Sequence, residues 1–166
     1  MMTTIETLTR DQNLKRLKVA VHSELNYDDY NSTNVINHTN CFSHAIGSTL
    51  SCLELYRVGA ICGRKDIEAD YFSVEEIIDL LFADLSVLDL KIEPSFIGDI
   101  MNSNQYQIAL FVKIYADHKI HDYHFFRNDS YGWSEKWRTY KPRMMDGFQM
   151  LNYFPWNFVG IFKITK

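Results

Sequence analysis

The chain has 166 residues, 46% apolar and 23% charged, which suits one domain able to bury a core of its own. Its net charge is −4 with no basic run beyond scattered pairs, so neither a nucleic-acid footprint nor a polybasic membrane patch is indicated. No stretch approaches the roughly 18 apolar residues of a membrane helix, the opening MMTTIETLTRDQ lacks a signal-peptide core, and the three cysteines (Cys41, Cys52, Cys62) do not make a disulfide framework, so a reducing, cytoplasmic setting is expected.

Leu8, Leu14, Leu17 and Val21 share a helical face, which predicts a modest helix with weak caps within residues 1–24. LKVAV is an alternative short strand there, and residues 1–30 read as a peripheral extension of the single domain. Residues 25–40 are dense in Asn, Asp, Ser and Thr, which bond to nearby backbone and favour turns, so a long loop is expected. Phe42, Ala45, Ile46, Thr49, Leu50, Leu53 and Tyr56 then recur at helical spacing, predicting a buried helix over 41–57, capped by Asn40 and ended by Gly59 and Gly63. A second helix is predicted over 73–85, with Ser73 and Glu76 as a capping box and Phe72 as a hydrophobic staple. Pro94 closes that segment, and SFIGDIM reads as a short turn.

From residue 106 the texture is that of strands, at 106–115, 120–127, 133–140 and 158–165, with a polar turn at ADHK and a hairpin turn at NDSYG. Helices followed by an antiparallel sheet of about four or five strands make an α+β protein. No phosphate-cradling glycine loop is present, so a nucleotide enzyme is not expected.

The chemistry centres on TNCFSHAIGS. Cys41 stands at a predicted helix start, where free N–H groups favour a thiolate. The plainer reading is a small core residue, as Cys52 is expected to be. His121 and His124 lie on one predicted strand, three residues apart, and so point to opposite faces. Glu135, eleven residues after His124, falls within cross-strand reach across the hairpin and is a candidate to orient the imidazole. Asp129 is a rival orienter, otherwise a turn residue. The Cys41 N–H and a side-chain amide of Asn34, Asn37 or Asn40 are candidate donors to an oxyanion. A zinc site on Cys41, His44, His121 and His124 is the competing reading, although diverging strand side chains at 121 and 124 disfavour it. Trp133, Trp137, Trp156, Tyr153 and Phe154 read as core or as a cleft lining, and Arg127 and Arg138 as strand-surface charges or contacts to an acidic substrate group.

A helix-initiating Cys, a strand His and a polar residue on the next strand resemble the papain-like cysteine hydrolase superfamily, with the layout of its NlpC/P60 branch. More locally, NCFSHAIG and DYHFFRNDSYGWSEK resemble bacterial and phage proteins carrying an Asn-Cys-aromatic motif and an Asp-Tyr-His-aromatic-Tyr-Arg-x-Asp-Ser-x-Gly-x-Trp-Ser-His-Lys motif. The resemblance spans residues 40–47 and 122–136 and departs at Glu135, where the motif has His, and in WRTYKPR, where it has Pro-Gly. It implies Cys41 as nucleophile, His124 as base and no cofactor. The substrate would be a peptide, protein or peptidoglycan-like amide, attacked by a thiol hydrolase, amidase or deamidase. A non-catalytic binding or effector protein on the same fold is the alternative.

Overall fold

The computed structural model describes residues 8–21, 25–66 and 69–166. The chain is α+β. Helices α1 (Arg10–Ala20), α2 (Thr33–Asn37), α3 (Cys41–Ile46) and α4 (Val74–Val87) precede most of an antiparallel sheet. Its strands are β1 (Lys91–Ser95), β2 (Gln105–Ile114), β3 (Ile120–Asp129), β4 (Gly132–Glu135), β5 (Arg143–Met144) and β6 (Asn157–Thr165), with α5 (Gly147–Leu151) before the last. The six strands lie in the order β1-β6-β2-β3-β4-β5.

The sheet separates two apolar clusters, because alternate residues of a strand face opposite sides. Ile108, Leu110, Val112, Phe125 and Phe162 pack under Leu17, Phe42, Ile46, Ile77, Leu81 and Leu85 of the helices. Ala109, Phe111, Phe126, Trp133 and Ile161 form the smaller cluster with Met150 of α5, covered by Tyr153 and Trp156. The segment read as peripheral enters the main core through Leu17 and Val21, and Leu25 and Tyr30 are also buried.

Several expectations change. The first helix is not weakly capped: Thr9 accepts from Gln12 N while Gln12 Oε1 accepts from Thr9 N at 2.7 Å, a reciprocal box. The strand alternative at LKVAV does not form: residues 17–20 are helical and Val21 is the C-cap. Residues 25–40 are not one loop but hold a 3₁₀ turn (Tyr27–Asn31) and α2. The helix expected over 41–57 stops at Ile46, because Gly47 takes φ 74° and its N–H closes on His44 O; residues 53–55 resume only as a 3₁₀ turn. In α4 Ser73 caps Glu76 N, but Glu76 turns to the Phe72 N–H, and Phe72 is 72% exposed, so it is no staple. Pro94 lies inside β1, on the sheet edge where a missing N–H is tolerated. With β1 and β5 the sheet has six strands rather than four or five.

The strand expected over 133–140 leaves the sheet at Lys136. That side chain is fully buried, and its Nζ donates to Ile36 O (3.1 Å), Thr39 O (3.0 Å) and Arg138 O (2.5 Å). A chain that folds around its own ammonium cannot stay extended.

Replacing Gly47 by Ala adds a Cβ to a left-handed residue and is expected to cost about 1–2 kcal/mol in urea unfolding. An unchanged midpoint would mean that α3 ends for another reason.

Candidate active site

Two devices bring Cys41 to its place. Asn40 Oδ1 accepts from Phe42 N and Ser43 N, both at 3.0 Å, while its Nδ2 donates to Tyr56 O at 2.6 Å. The cap therefore also ties the helix start to the 53–56 turn. The Cys41 N–H, by contrast, has no hydrogen-bond acceptor among the described residues.

The second device is an opening in the sheet. β4 ends at Glu135, opposite Phe126. Over residues 121–125, β3 therefore has no strand neighbour on that side, and only a bridge from Tyr71 covers Ile120. The tip of α3 enters this gap: Cys41 Sγ lies 4.0 Å from Tyr123 O. The Tyr123 N–H is taken by the Asp122 carboxylate at 2.9 Å.

His124 projects to the second face, on the same side as Phe126 and therefore as Glu135, a diagonal pair across the hairpin. Nε2 meets Glu135 Oε2 at 2.6 Å, which leaves Nδ1 as the ring nitrogen for the thiol. The imidazole is enclosed by rings: Tyr153 stacks on it (15° between planes), and Phe126, Trp137 and Trp156 surround it with centroids 5.0–5.9 Å away. Glu135 Oε1 accepts from Arg143 Nε, and Tyr153 also bonds to Glu135.

Burial by itself lowers the pKa of an imidazole. Here the side-chain interactions with Cys41 and Glu135 outweigh it, and His124 is raised from 6.5 to about 9. For Glu135 burial acts upward, but His124 and Arg143 hold the carboxyl below its ordinary value. His124 is thus an imidazolium paired with a carboxylate at neutral pH.

Cys41 and His124 both line a cleft of about 310 Å³, together with Tyr56, Arg57, Asp122 and Trp137. Asn34 and Asn37 are exposed and do not line it, and Asn40 is committed to its cap, so none of the three amides stands free as an oxyanion donor. Asp129 does not reach His124. Its Oδ2 accepts from Arg127 Nε (3.2 Å) and its Oδ1 from Tyr131 N.

The zinc set is not gathered. His44 is wholly buried beneath α3 with Nε2 on Ser134 Oγ (2.9 Å), and burial, reinforced by the Arg127 cation, keeps it neutral. His121 is held by Asp117 (2.8 Å) and Asp70 (3.2 Å). Among the described residues no group of three or more His, Cys, Asp or Glu is placed to hold a metal ion.

Arg127 is not a surface charge: it is fully buried, donates to Ala45 O at 3.1 Å and lies 3.7 Å over the Tyr106 ring. Sequence reasoning passed over Arg143 and Arg57. The signal for Arg57 was a single cation within the otherwise apolar LYRVGAIC; Arg143 carried none until β5 placed it opposite Glu135.

Among the described residues no helix is long and apolar enough to cross a membrane. Family models, curated proteins and solved structures give no match to this chain. What the site does must therefore be argued from its geometry.

A histidine whose folded pKa is raised contributes stability that is fully present below its unfolded value of 6.5 and is lost as pH rises through about 9. The urea stability of the wild type minus that of His124→Gln should therefore shrink across pH 6.5–9, by an amount on the order of 3 kcal/mol. Lys136, which burial depresses to about 8, titrates in overlapping conditions but cancels in the difference. A flat difference would mean that His124 is not held charged.

Proposed function

We propose that the chain is a papain-like thiol hydrolase that cleaves an amide through Cys41, with His124 as base and Glu135 as the residue that orients it. The observation that carries this reading is the buried His124–Glu135 pair opening, at the gap in β3, onto the cleft that Cys41 lines. A carboxylate that fixes an imidazole, whose other nitrogen is left to a thiol at a helix tip, is the arrangement needed to generate and steer a sulfur nucleophile.

The steps follow from these positions. His124, held as an imidazolium, already carries the thiol's proton at Nδ1, and Cys41 Sγ forms a C–S bond to the amide carbonyl carbon. The negative charge moves to the carbonyl oxygen, for which the free Cys41 N–H is one donor. As that oxygen re-forms its double bond, the C–N bond breaks and the imidazolium passes its proton to the leaving amine. His124 then takes a proton from water, whose oxygen attacks the thioester. The C–S bond breaks and the sulfur–imidazolium pair is restored. Glu135 stays ionised throughout and holds the ring by Nε2. Substrates of this class are peptide, isopeptide or peptidoglycan-like amides, and glutamine side chains with ammonia as the leaving group.

Cys52 and Cys62 are internal controls, since burial pushes both thiols up. At neutral pH iodoacetamide should alkylate Cys41 about tenfold or more faster than either, and His124→Gln should remove most of that advantage. Mass spectrometry of each cysteine peptide reads this directly. Three equally slow thiols would reject the reading and favour a non-catalytic binding protein.

A further inference from the structure

Around Cys41 the charge is opposite in sign to that of the whole molecule. The chain carries −4, yet two arginines line the cleft and neither forms an ion pair with a carboxylate among the described residues. Arg57 lies over the Tyr71 ring at 4.9 Å and gives one Nη to Ala69 O. Its Nε is buried with no hydrogen-bond partner among the described residues. A buried, unmatched guanidinium N–H is costly unless something else binds there.

Arg138 faces the same cleft with its side chain exposed. Its backbone takes φ 44°, a conformation that a non-glycine residue adopts only when its surroundings enforce it. What enforces it is the Lys136 ammonium on the Arg138 carbonyl, which ties this turn to Thr39 and so to the start of α3. One acidic group, Asp122, lines the cleft; its carboxylate accepts from the Tyr123 N–H and lies within electrostatic reach of Arg138 without forming an ion pair with it, while Asp70 and Asp117 flank His121. Glu135 lies behind His124, between it and Arg143.

We infer that the cleft selects amide substrates that carry a carboxylate near the scissile bond, received by Arg57 and Arg138. The carboxylate belongs either to an acidic side chain or to a chain terminus, and a planar guanidinium suits both. The inference rests on the thiol-hydrolase reading and adds to it the substrate's charge.

A pair of alkylating probes tests it without a known substrate. Iodoacetate and iodoacetamide react with the same sulfur, and only the first carries a carboxylate. The ratio of their rates at Cys41, normalised to free cysteine, should exceed unity by about tenfold at low ionic strength and fall as salt is added. The His124 imidazolium also attracts iodoacetate, so the deciding variants are Arg138→Gln and Arg57→Gln. Each should lower the ratio at least about threefold. Arg138→Gln alters only an exposed side chain, so the test does not depend on the half-buried Arg57 site tolerating substitution. Protection of Cys41 by N-acetylglutamic α-amide, compared with N-acetylalanine and neutral N-acetylglutamine amide, separates a side-chain from a terminal carboxylate. A Cys41 inert to iodoacetamide overturns the hydrolase reading and this inference together. A reactive Cys41 whose ratio matches free cysteine, or is unmoved in Arg138→Gln, overturns the carboxylate preference alone.

Discussion

A carboxylate and an imidazole, 1% and 2% exposed, meet at 2.6 Å, and much of the structure is arranged around that contact. The imidazole does not stay charged in such a place without the carboxylate, because desolvation costs it several kcal/mol. The pairing in turn needs β3 and β4 in a register that puts residues 124 and 135 on one face, a one-residue slip of which would separate them. It needs the ring held flat, which the stacked Tyr153 provides. It also needs a sheet that stops early enough to leave the histidine open on one side.

That early stop is where packing and chemistry join. Had β4 continued beyond Glu135, its backbone would occupy the edge of β3 that the tip of α3 now fills. Lys136 ends it, by drawing three carbonyls onto a buried ammonium. Two of those carbonyls belong to Ile36 and Thr39, in the segment leading into Cys41. One side chain thus terminates the strand, opens the gap and anchors what enters it. Beneath α3 a second polar group is buried in the same manner: Arg127 on Ala45 O and Asp129, with Ser134 joining the Tyr27 hydroxyl (2.6 Å) to His44. These residues carry much of the DYHFFRNDSYGWSEK pattern, and it is Tyr123 and His124 that lie nearest the sulfur. The pattern is chiefly a description of how a helix start is fastened to a hairpin.

What could be read from sequence followed from period and spacing. The strand alternation separated His121 from His124, and the eleven-residue step across a short turn put Glu135 within reach of the ring. The capping preference of Asn40 located the helix start to the residue. The failures were of long range. The helix over 41–57 kept its apolar spacing, but Gly47 closed it; beyond it Leu55 and Tyr56 are buried from irregular backbone, while Leu53 of the expected face is exposed. Arg127 read as exposed because an isolated strand gives no sign that Tyr106 and the Ala45 carbonyl will cover it. β5 is two residues long and paired only through tertiary contact, so no local periodicity announces it.

That short strand bears on Glu135 and on the segment that follows it. Glu135 is buried, and a buried carboxylate brings a full negative charge that must be matched. One imidazolium neutralises it only while protonated. A second, permanent cation removes that dependence. Arg143 supplies it, directly opposite Glu135 in the β4–β5 register, and its pKa, raised by that bond, keeps it charged at any working pH. The segment 137–142 is the return that brings β5 back against β4. Glu135, Arg143 and the return between them thus act together: the loop brings β5 back far enough to set a counter-ion against the buried carboxylate.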